Sequence, residues 1–406
     1  MFLCPRLPKR KTVLMALPPM NRGLHVTKFA TSFFAGAVLA FGGYFALSFI
    51  PGEFYRVTDN ATTTVTAIVA DTLPPVTHIQ TPEPLKAIYV TACVAGTPSW
   101  RTRLAELVKT TELNALIIDI KDYSGTVSFK SKSPLLKDHA GTGCRTNDMR
   151  EFIETLHRDN IYVIGRITVF QDPYYTKLHP ELAVKKLSDD TMWKDYKGLS
   201  FIDVGAKAFW EYIATLAKES YAIGFDELNF DYVRFPSDGN MKDIDYTWSR
   251  GKTKADALEE FFVYLHDELK VKNNIPISAD LFGMTTTNTD DLNIGQVLER
   301  TLPYFDGVYP MVYPSHYPKG FNGWSNPNDH VYDVVHFSMS RAVERANRAT
   351  TSPLKLRPWI QDFDYGGNYG ATEVRAQIQA TYDSGLTSWL IWDPGNKYTV
   401  EALLKE

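Results

Sequence analysis

Carboxylates and an amide interrupt one apolar stretch near the middle of the chain. The sequence GFDELNFDYVRFPSDG, residues 224–239, has the Phe, Leu and Tyr content of a buried strand. Side chains alternate between the two faces of a strand, so Glu227, Asn229 and Asp231 share one face and apolar residues occupy the other. Burying an unpaired carboxylate is costly, which predicts that these side chains face a polar site.

Two further acids lie in strands of the same kind. PISADLFG places Asp280 on its polar face, and RPWIQDF ends near Asp362. A pair of carboxyl groups in an open cleft suits glycoside hydrolysis, because one acid protonates the leaving oxygen and one carboxylate attacks the sugar or activates water. We assign Asp231 as the nucleophile or base and Asp280 as the acid. Asp362 is the reserve acid. It shares the outward parity of Ile360, but it ends its strand and could turn into the cleft.

The same alternation gives a set of polar and aromatic side chains that are expected to line the cleft and bind sugar. The set is Asp119, Arg166, Asn229, Tyr309, Tyr313, His316, Trp359, Gln361 and Trp392. A structural alternative remains open for four charged residues, which could form an ion network low in the interior. These four are Asp119, Lys121, Arg166 and Glu227. Asp226 and Arg234 fall on the outward parity or at the strand end, where a local salt bridge is expected for each.

Other hydrolytic chemistries find no motif in the sequence. The chain has no H-E-x-x-H, H-x-x-x-H or C-x-x-C spacing and no G-x-S-x-G. His316, in YPSHYPKG, stands alone in a loop of the expected active site, where it could contact substrate. The formal net charge of -4 gives no reason to expect nucleic-acid binding. We therefore predict no metal, no cofactor and no nucleic-acid partner.

Eight β-rich runs alternate with amphipathic segments from Lys86 onward. The runs are residues 86–93, 114–122, 161–170, 225–235, 275–283, 306–314, 355–363 and 388–394. Between them apolar residues recur at steps of three and four, which is typical of helices packed on a sheet. Strict alternation with eight strands predicts the α/β class and a single (β/α)8 TIM barrel over residues 85–406. The alternative is a doubly wound open sheet, which would usually need fewer strands and a G-x-G-x-x-G turn after the first.

The N-terminal part has the composition of a membrane anchor. Residues 29–50 are an uncharged apolar stretch, long enough to cross a bilayer as a helix. Residues 1–28 contain Lys and Arg but no acid, which places this basic tail in the cytoplasm and the barrel outside the cell membrane. Residues 51–84 are rich in Thr and Pro and predict an extended linker. A cleaved signal peptide is the alternative. Cys93 and Cys144 share the outer compartment, and whether they form a disulfide stays open.

Seven separated motifs carry a resemblance to a known family. They are IIDIKDYSG, RITVFQDP, GFDELNFDYVRFPSDG, ISADLFG, YPMVYPSHYP, RPWIQDF and LIWDPGN, and the similarity covers nearly all of residues 85–400. The chain resembles the bacterial family described as "putative glycosyl hydrolase domain", which is often anchored to the membrane by one N-terminal helix. That family is similar to the amylase-like (β/α)8 glycosidases, in which an Asp near the end of strand four is the nucleophile. Asp231 occupies that place, whereas Asn229 stands where the amylase-like pattern has Arg, and Asp280 where it usually has Glu.

These observations predict an extracytoplasmic, membrane-anchored glycoside hydrolase that cleaves a polysaccharide or oligosaccharide with a carboxylate pair at the barrel's C-terminal face. The alternative is a catalytically inactive carbohydrate-binding or envelope scaffold protein, because a fold does not fix an activity. The separation of the Asp231 and Asp280 carboxyl groups distinguishes the two. A separation of about 5 to 10 Å between the two carboxyl groups is expected for hydrolysis, and a much larger separation favours binding alone.

Overall fold

Eight parallel strands close into a barrel in chain order. The computed structural model describes residues 76–137, 141 and 143–405, which belong to one compact unit. The strands are β1 Lys86–Val90, β2 Ala115–Lys121, β3 Tyr162–Thr168, β4 Glu227–Asp231, β5 Ile277–Phe282, β6 Gly307–Met311, β7 Trp359–Gln361 and β8 Trp389–Trp392. Each pairs in parallel with the next, and β8 pairs with β1, so the predicted closed barrel is confirmed and the open-sheet alternative is wrong.

Helices follow the strands and cover the barrel. The helices of this layer are α1 Pro98–Lys109, α2 Met149–Arg158, α3 Lys207–Ile223, α4 Lys254–Leu265, α5 Leu298–Thr301, α6 Val331–Arg348 and α7 Ala371–Asp383, of which α5 is a single turn. One-turn α-helices lie at Ala92–Ala95, Pro134–Lys137 and Tyr175–Leu178, a π-helical segment His266–Val271 continues α4, and 3-10 turns lie at Pro180–Leu182, Gly283–Thr286, Pro314–His316, Phe321–Gly323, Pro327–Asp329, Pro353–Lys355 and Val400–Ala402. The outer ring is therefore uneven, because a single turn follows β5 and a 3-10 turn follows β8.

Local sequence explains where the helices form. In α2, Met149, Phe152, Ile153 and Leu156 are all buried, which is the spacing of one helical face turned toward the barrel. Helix α4 begins after Thr253, whose hydroxyl accepts the backbone N–H of Asp256 and caps the first turn. Amphipathic periodicity and caps thus place the covering layer.

Alternation along the strands divides the apolar residues into two cores. An outer core between strands and helices contains Leu228 and Phe230 of β4 and Ile277 and Ala279 of β5. The barrel interior holds the second core, which includes Ala87, Ile117, Tyr309, Trp359 and Leu390. The predicted outward and inward faces of β4, β5 and β6 are confirmed.

The interior position expected for Lys121, at the end of β2, is wrong. The register of β2 against β3 shifts between Asp119 and Lys121, so Lys121 pairs with Ile167, a residue of the outer core. The ammonium of Lys121 lies 2.8 Å from Asp172 and 5.8 Å from the ring of Phe209 in α3. Phe170, beyond the end of β3, also packs in the outer core. Alternation fails at these positions because a register shift or the end of a strand breaks the period of two.

A disulfide joins Cys93 to Cys144, with their Cα atoms 4.8 Å apart. It links the segment that follows β1 to the loop that leads into α2, so it ties two neighbouring βα connections together. The pairing that the sequence left open is therefore formed in the structure.

The described end of the predicted linker packs against the barrel. The backbone N–H of Ile79 donates to Asp226 at 2.7 Å, and the hydroxyls of Thr81 and Tyr162 are 2.8 Å apart. Asp226 also contacts Nε2 of His157 at 2.9 Å, so the local contact expected for Asp226 is made with a histidine. The predicted tail, membrane span and most of the linker lie outside the described residues. Within the described part of the chain, no helix combines the length and apolarity needed to span a bilayer.

Candidate active site

A cavity of about 410 Å³ opens where the strands end. Asp231, Phe282, Met311 and Trp392 line it, and each is the last residue of its strand. The C-terminal face is where (β/α)8 enzymes place their chemistry, because loops from all strands converge there. Asp231 and Asp280, the two acids that the sequence assigned to the site, both line this cavity.

Arg166 links the carboxylates at the floor of the cavity. Its Nη1 donates to Asp119 at 2.6 Å, its Nε donates to Asp231 at 3.2 Å, and its Nη2 also donates to Asp231. Burial alone would lower the pKa of Arg166, but the charges of Asp231 and Asp119 outweigh it and hold that pKa well above its ordinary value. Arg166, from the neighbouring strand β3, thus contacts Asp231. On β4 itself, the position where the amylase-like pattern has an arginine is occupied by Asn229.

Asp280 has a different environment from Asp231. It is 1% exposed, and its Oδ1 accepts hydrogen bonds from Asn229 Nδ2 and Trp359 Nε1, both at 2.9 Å. Burial, followed by the charge of Asp231, raises the pKa of Asp280 well above its ordinary value, and neither Arg166 nor the two neutral donors offset this. Its surroundings thus favour the protonated form of Asp280, which is the form that a proton donor requires.

The two acids are close enough to share one glycosidic bond. Asp231 Oδ2 lies 3.2 Å from Arg166 Nε, and Asp280 Oδ2 lies 3.9 Å from the same atom. The two oxygens are therefore separated by no more than the sum of these distances. This upper limit excludes the much larger gap expected of binding alone, and it is compatible with the carboxyl separations of about 5–9.5 Å in retaining and inverting glycosidases.

The residue after Asp231 is held in an uncommon conformation. Tyr232 has a φ of 52°, in the left-handed region that bulky side chains seldom adopt. This turn brings its backbone N–H to within 2.5 Å of Asp231 Oδ1 and lets Tyr232 line the cavity. Backbone strain of this kind costs about 1–3 kcal/mol and concentrates at functional sites.

Aromatic residues form one wall of the cavity. Trp392 stacks on Tyr89 with ring centroids 3.8 Å apart, and its other neighbour is Trp359 at 5.4 Å. Tyr313 also lines the cavity, and burial together with the charges of Asp280 and Asp231 raises its pKa well above the ordinary value. Its hydroxyl therefore stays protonated and can donate a hydrogen bond.

Five of the predicted site residues support the cavity from below or behind. Asn229 and Trp359 donate to Asp280, and Asp119 pairs with Arg166. Gln361 is fully buried and accepts the Ser315 hydroxyl at 2.9 Å. Tyr309 is fully buried one layer lower. None of these five lines the cavity, so their effect on a ligand would be indirect.

The lower interior has an ion pair of its own. Glu227 accepts hydrogen bonds from Tyr309 and Tyr162 and lies 3.5 Å from Arg357 Nη1. The four charged residues that could have formed one network are thus divided: Glu227 pairs with Arg357, Lys121 with Asp172, and Asp119 with Arg166.

Asp362 is not brought to the cavity. Its two carboxylate oxygens accept the backbone N–H and hydroxyl of Thr399 at 2.8 and 2.7 Å. Burial raises the pKa of Asp362 to about 6 despite these bonds. The outward parity shared with Ile360 holds, and the structure gives Asp362 no place beside Asp231 and Asp280.

The loops add cavity residues that sequence reasoning missed. They include Lys197, Arg234, Ser237 and Asp238. Arg234 makes no ion pair with any carboxylate in the described ranges, so the salt bridge expected for it is wrong. Arg234 and Asp238, the charged residues at the C-terminal end of GFDELNFDYVRFPSDG, were a signal that this end also belongs to the site.

His316 lines the cavity as expected, beside its loop neighbour Ser315, whose hydroxyl is 2.9 Å from Nδ1. Burial, and then the charge of Lys197, lowers the pKa of His316, so the imidazole is neutral at physiological pH. No cluster of three His, Cys, Asp or Glu side chains suited to a metal ion occurs in the part of the chain that the structure describes.

Residues 87–398 match the family described as "Putative glycosyl hydrolase domain". The chain belongs to this glycosyl hydrolase family. The family resemblance and the glycosidase class that the sequence predicted are thereby confirmed.

Solved structures similar to this glycosyl hydrolase family member include two of contrasting likeness. A hypothetical protein from Ruminiclostridium thermocellum ATCC 27405 is 32% identical over 51% of this chain and 98% of its own, with a TM-score of 0.44. The PgaB (BpsB) glycoside hydrolase domain from Bordetella bronchiseptica is 13% identical over 77% of this chain and 95% of its own, with a TM-score of 0.57. The second likeness supports the barrel fold. A search of curated proteins found no match.

Proposed function

We propose that this protein is an extracytoplasmic, membrane-anchored glycoside hydrolase that cleaves a polysaccharide or oligosaccharide with Asp231 and Asp280. The observation that carries the proposal is the contrast between two neighbouring carboxyl groups. Asp231 accepts hydrogen bonds from a guanidinium and a backbone N–H, donors that suit a carboxylate. Asp280 is buried among neutral donors with a raised pKa. Two acids with opposed environments are the requirement of glycoside hydrolysis.

The reaction follows from these roles. A sugar bound in the cavity presents its glycosidic oxygen to the protonated Asp280, which gives its proton to the departing sugar. Asp231 supplies the carboxylate that attacks the anomeric carbon or activates water there. Arg166 holds Asp231 in place, and Trp392 offers a partly exposed aromatic surface on which a sugar ring can stack.

Two features support an extracytoplasmic position. The Cys93–Cys144 disulfide suits an oxidising compartment, since cytosolic thiols are normally kept reduced. The uncharged residues 29–50, preceded by a basic segment without acids, favour a single span with a cytoplasmic N-terminus. Protease digestion of intact spheroplasts tests this: the barrel should be degraded from outside, and its protection would contradict the orientation.

The activity is tested on the full chain in detergent micelles with a panel of bacterial and plant glycans. We expect release of reducing ends by the wild type and loss of that release in Asp231→Asn and Asp280→Asn. The matched control is Asp290→Asn, at an exposed acid outside the cavity. Equal release by wild type and both variants would remove the pair from the mechanism. Binding of a glycan without turnover would instead favour the scaffold alternative.

A further inference from the structure

Arg234 is a buried guanidinium at the wall of the active-site cavity. The residue is 8% exposed, and both of its described hydrogen bonds come from Nη1, to the Phe235 carbonyl at 3.0 Å and the Ser237 hydroxyl at 3.2 Å. Within the described ranges, no carboxylate forms an ion pair with Arg234 and no acceptor bonds its Nε or Nη2. Three of the five N–H donors of this buried cation therefore have no acceptor among the described residues.

Three aromatic rings hold this guanidinium in position. The ring centroids of Phe282, Tyr232 and Phe201 lie 5.0, 5.2 and 5.7 Å from its Cζ. Cation–π contacts orient the group, but they do not neutralise its charge. Burial accordingly lowers the pKa of Arg234, and the nearby charges offset this only in part. Its two Nη1 bonds need only a neutral donor, so they do not explain why a full positive charge is kept here.

Lys197 is a second unpaired cation on the same cavity. It is exposed at the mouth, it makes no ion pair within the described part of the chain, and its charge contributes to the lowered pKa of His316. Arg166, in contrast, is already paired with Asp119 and Asp231. The one further carboxylate on the wall, Asp238, is exposed and pairs with neither Lys197 nor Arg234.

We propose that Arg234 and Lys197 bind an anionic substituent on a sugar ring placed beside Asp231, so that the enzyme acts on an acidic polysaccharide. This rests on the proposed function and names its substrate class. The substituent is a carboxylate, a sulfate ester or a phosphate ester, each of which matches the two-pronged donor set of a guanidinium. Lys197 at the mouth attracts the same polyanion before it docks. A bound anion also supplies the negative charge that Arg234 lacks, because no carboxylate of the described residues forms an ion pair with it.

Binding is measured with the full-length Asp280→Asn variant in detergent micelles, because that change preserves the cavity's charge while blocking turnover. Titration calorimetry uses matched probes: an oligogalacturonate and its methyl ester, a sulfated oligosaccharide and its desulfated form, and a phosphorylated one and its dephosphorylated form. We expect the acidic member of one pair to bind at least about tenfold more tightly, as a charge-assisted bond predicts. The gap should narrow as ionic strength rises. Which pair shows the gap identifies the anion.

Substitutions in the same background assign the gap to these residues. Arg234→Gln should weaken binding of the acidic member about 10- to 100-fold, and Lys197→Gln about 2- to 5-fold, since it is exposed. Neither should change binding of the neutral member. Lys194→Gln, an exposed lysine three positions away on the same loop and outside the cavity, should change nothing. If Arg234→Gln lowers the unfolding midpoint too far, Lys197→Gln and the salt dependence still decide the matter.

Equal affinity within every pair, no binding of any probe, or an acidic preference that survives both substitutions would each overturn the anionic subsite. The result is separable from hydrolysis itself. Asp280-dependent cleavage of neutral glycans, with no acidic preference, would uphold hydrolysis and overturn the subsite. Selective binding of acidic probes that the wild type never cleaves would uphold the subsite and overturn hydrolysis.

Discussion

The indole Nε1 of Trp359 donates a hydrogen bond to Asp280 Oδ1 at 2.9 Å, across the barrel interior from β7 to β5. This bond lowers the pKa of Asp280 against the larger effect of burial. Trp359→Phe keeps the ring and removes the donor, so the pKa of Asp280 should rise further. Because the protonated acid is the active form, we expect the alkaline limb of kcat/KM to move up by about half to one pH unit.

The pH profile of reducing-end release measures this shift. Trp389→Phe is the control, since Trp389 lies in the outer core and donates to Tyr382 instead. An unchanged alkaline limb in Trp359→Phe, or an equal shift in both variants, would show that the titrating acid is not Asp280.

Asp280→Asn removes the proposed proton donor and should lower kcat by about 10²- to 10⁴-fold. The same substitution should also change how stability depends on pH. The folded pKa of Asp280 is raised above the unfolded value of about 4, so the wild type binds a proton on folding between those two pH values. Its free energy of unfolding should therefore fall with rising pH, relative to Asp280→Asn, by about 1.4 kcal/mol per pH unit in that window.

Urea unfolding from pH 4 to pH 9 measures the difference. The two proteins should diverge as pH rises from 4 and run parallel once Asp280 is ionised in the folded wild type. A constant difference across the whole range would mean that Asp280 is ionised throughout.

Arg166→Met leaves Asp119 and Asp231 buried without their cation. Breaking a buried pair costs about 3–5 kcal/mol, and much of that cost is the uncompensated charge that remains. We expect this loss in the free energy of unfolding at pH 7, together with loss of activity. Adding Asp119→Asn to Arg166→Met should recover part of the stability and none of the activity.

Arg341→Met is the matched control. Arg341 pairs with Glu344 on the exposed surface of α6, and such a pair contributes about 1 kcal/mol or less. If the two arginine variants lose similar amounts of unfolding free energy, the buried ion pair of Arg166 contributes no more to stability than the exposed pair of Arg341.

Side-chain alternation was sufficient to predict much of the barrel and part of its site. It placed Asp231 and Asp280 on inward faces of neighbouring strands, because both residues lie within regular, register-matched pairing. It failed for Lys121, because a register shift reverses the face on which that side chain lies. The salt bridge expected for Arg234 was also wrong, since Arg234 lies beyond the end of β4.

Depth along the barrel axis was also hidden from the sequence. Tyr309 and Tyr313 share a face, yet Tyr309 bonds Glu227 in the lower interior and only Tyr313 reaches the cavity. Lys197 belongs to a loop between β3 and α3, and its approach to the cavity depends on long-range packing that no local pattern encodes. The face of a strand on which a side chain lies can be predicted from the alternation of residues. Its depth along the barrel axis and the placement of loops depend on tertiary structure.

The Cys93–Cys144 disulfide should stabilise the barrel by about 2–4 kcal/mol, because it restricts the unfolded chain over a sequence separation of 51 residues. Cys93→Ser combined with Cys144→Ser should lower the free energy of unfolding by that amount. Dithiothreitol should destabilise the wild type to the level of the double variant and leave the double variant unchanged. The cavity lies on loops that this bridge does not directly join, so kcat/KM under folding conditions should stay within about twofold, an allowance of under 0.5 kcal/mol. Equal stability of oxidised wild type and double variant would show that the bridge adds no constraint.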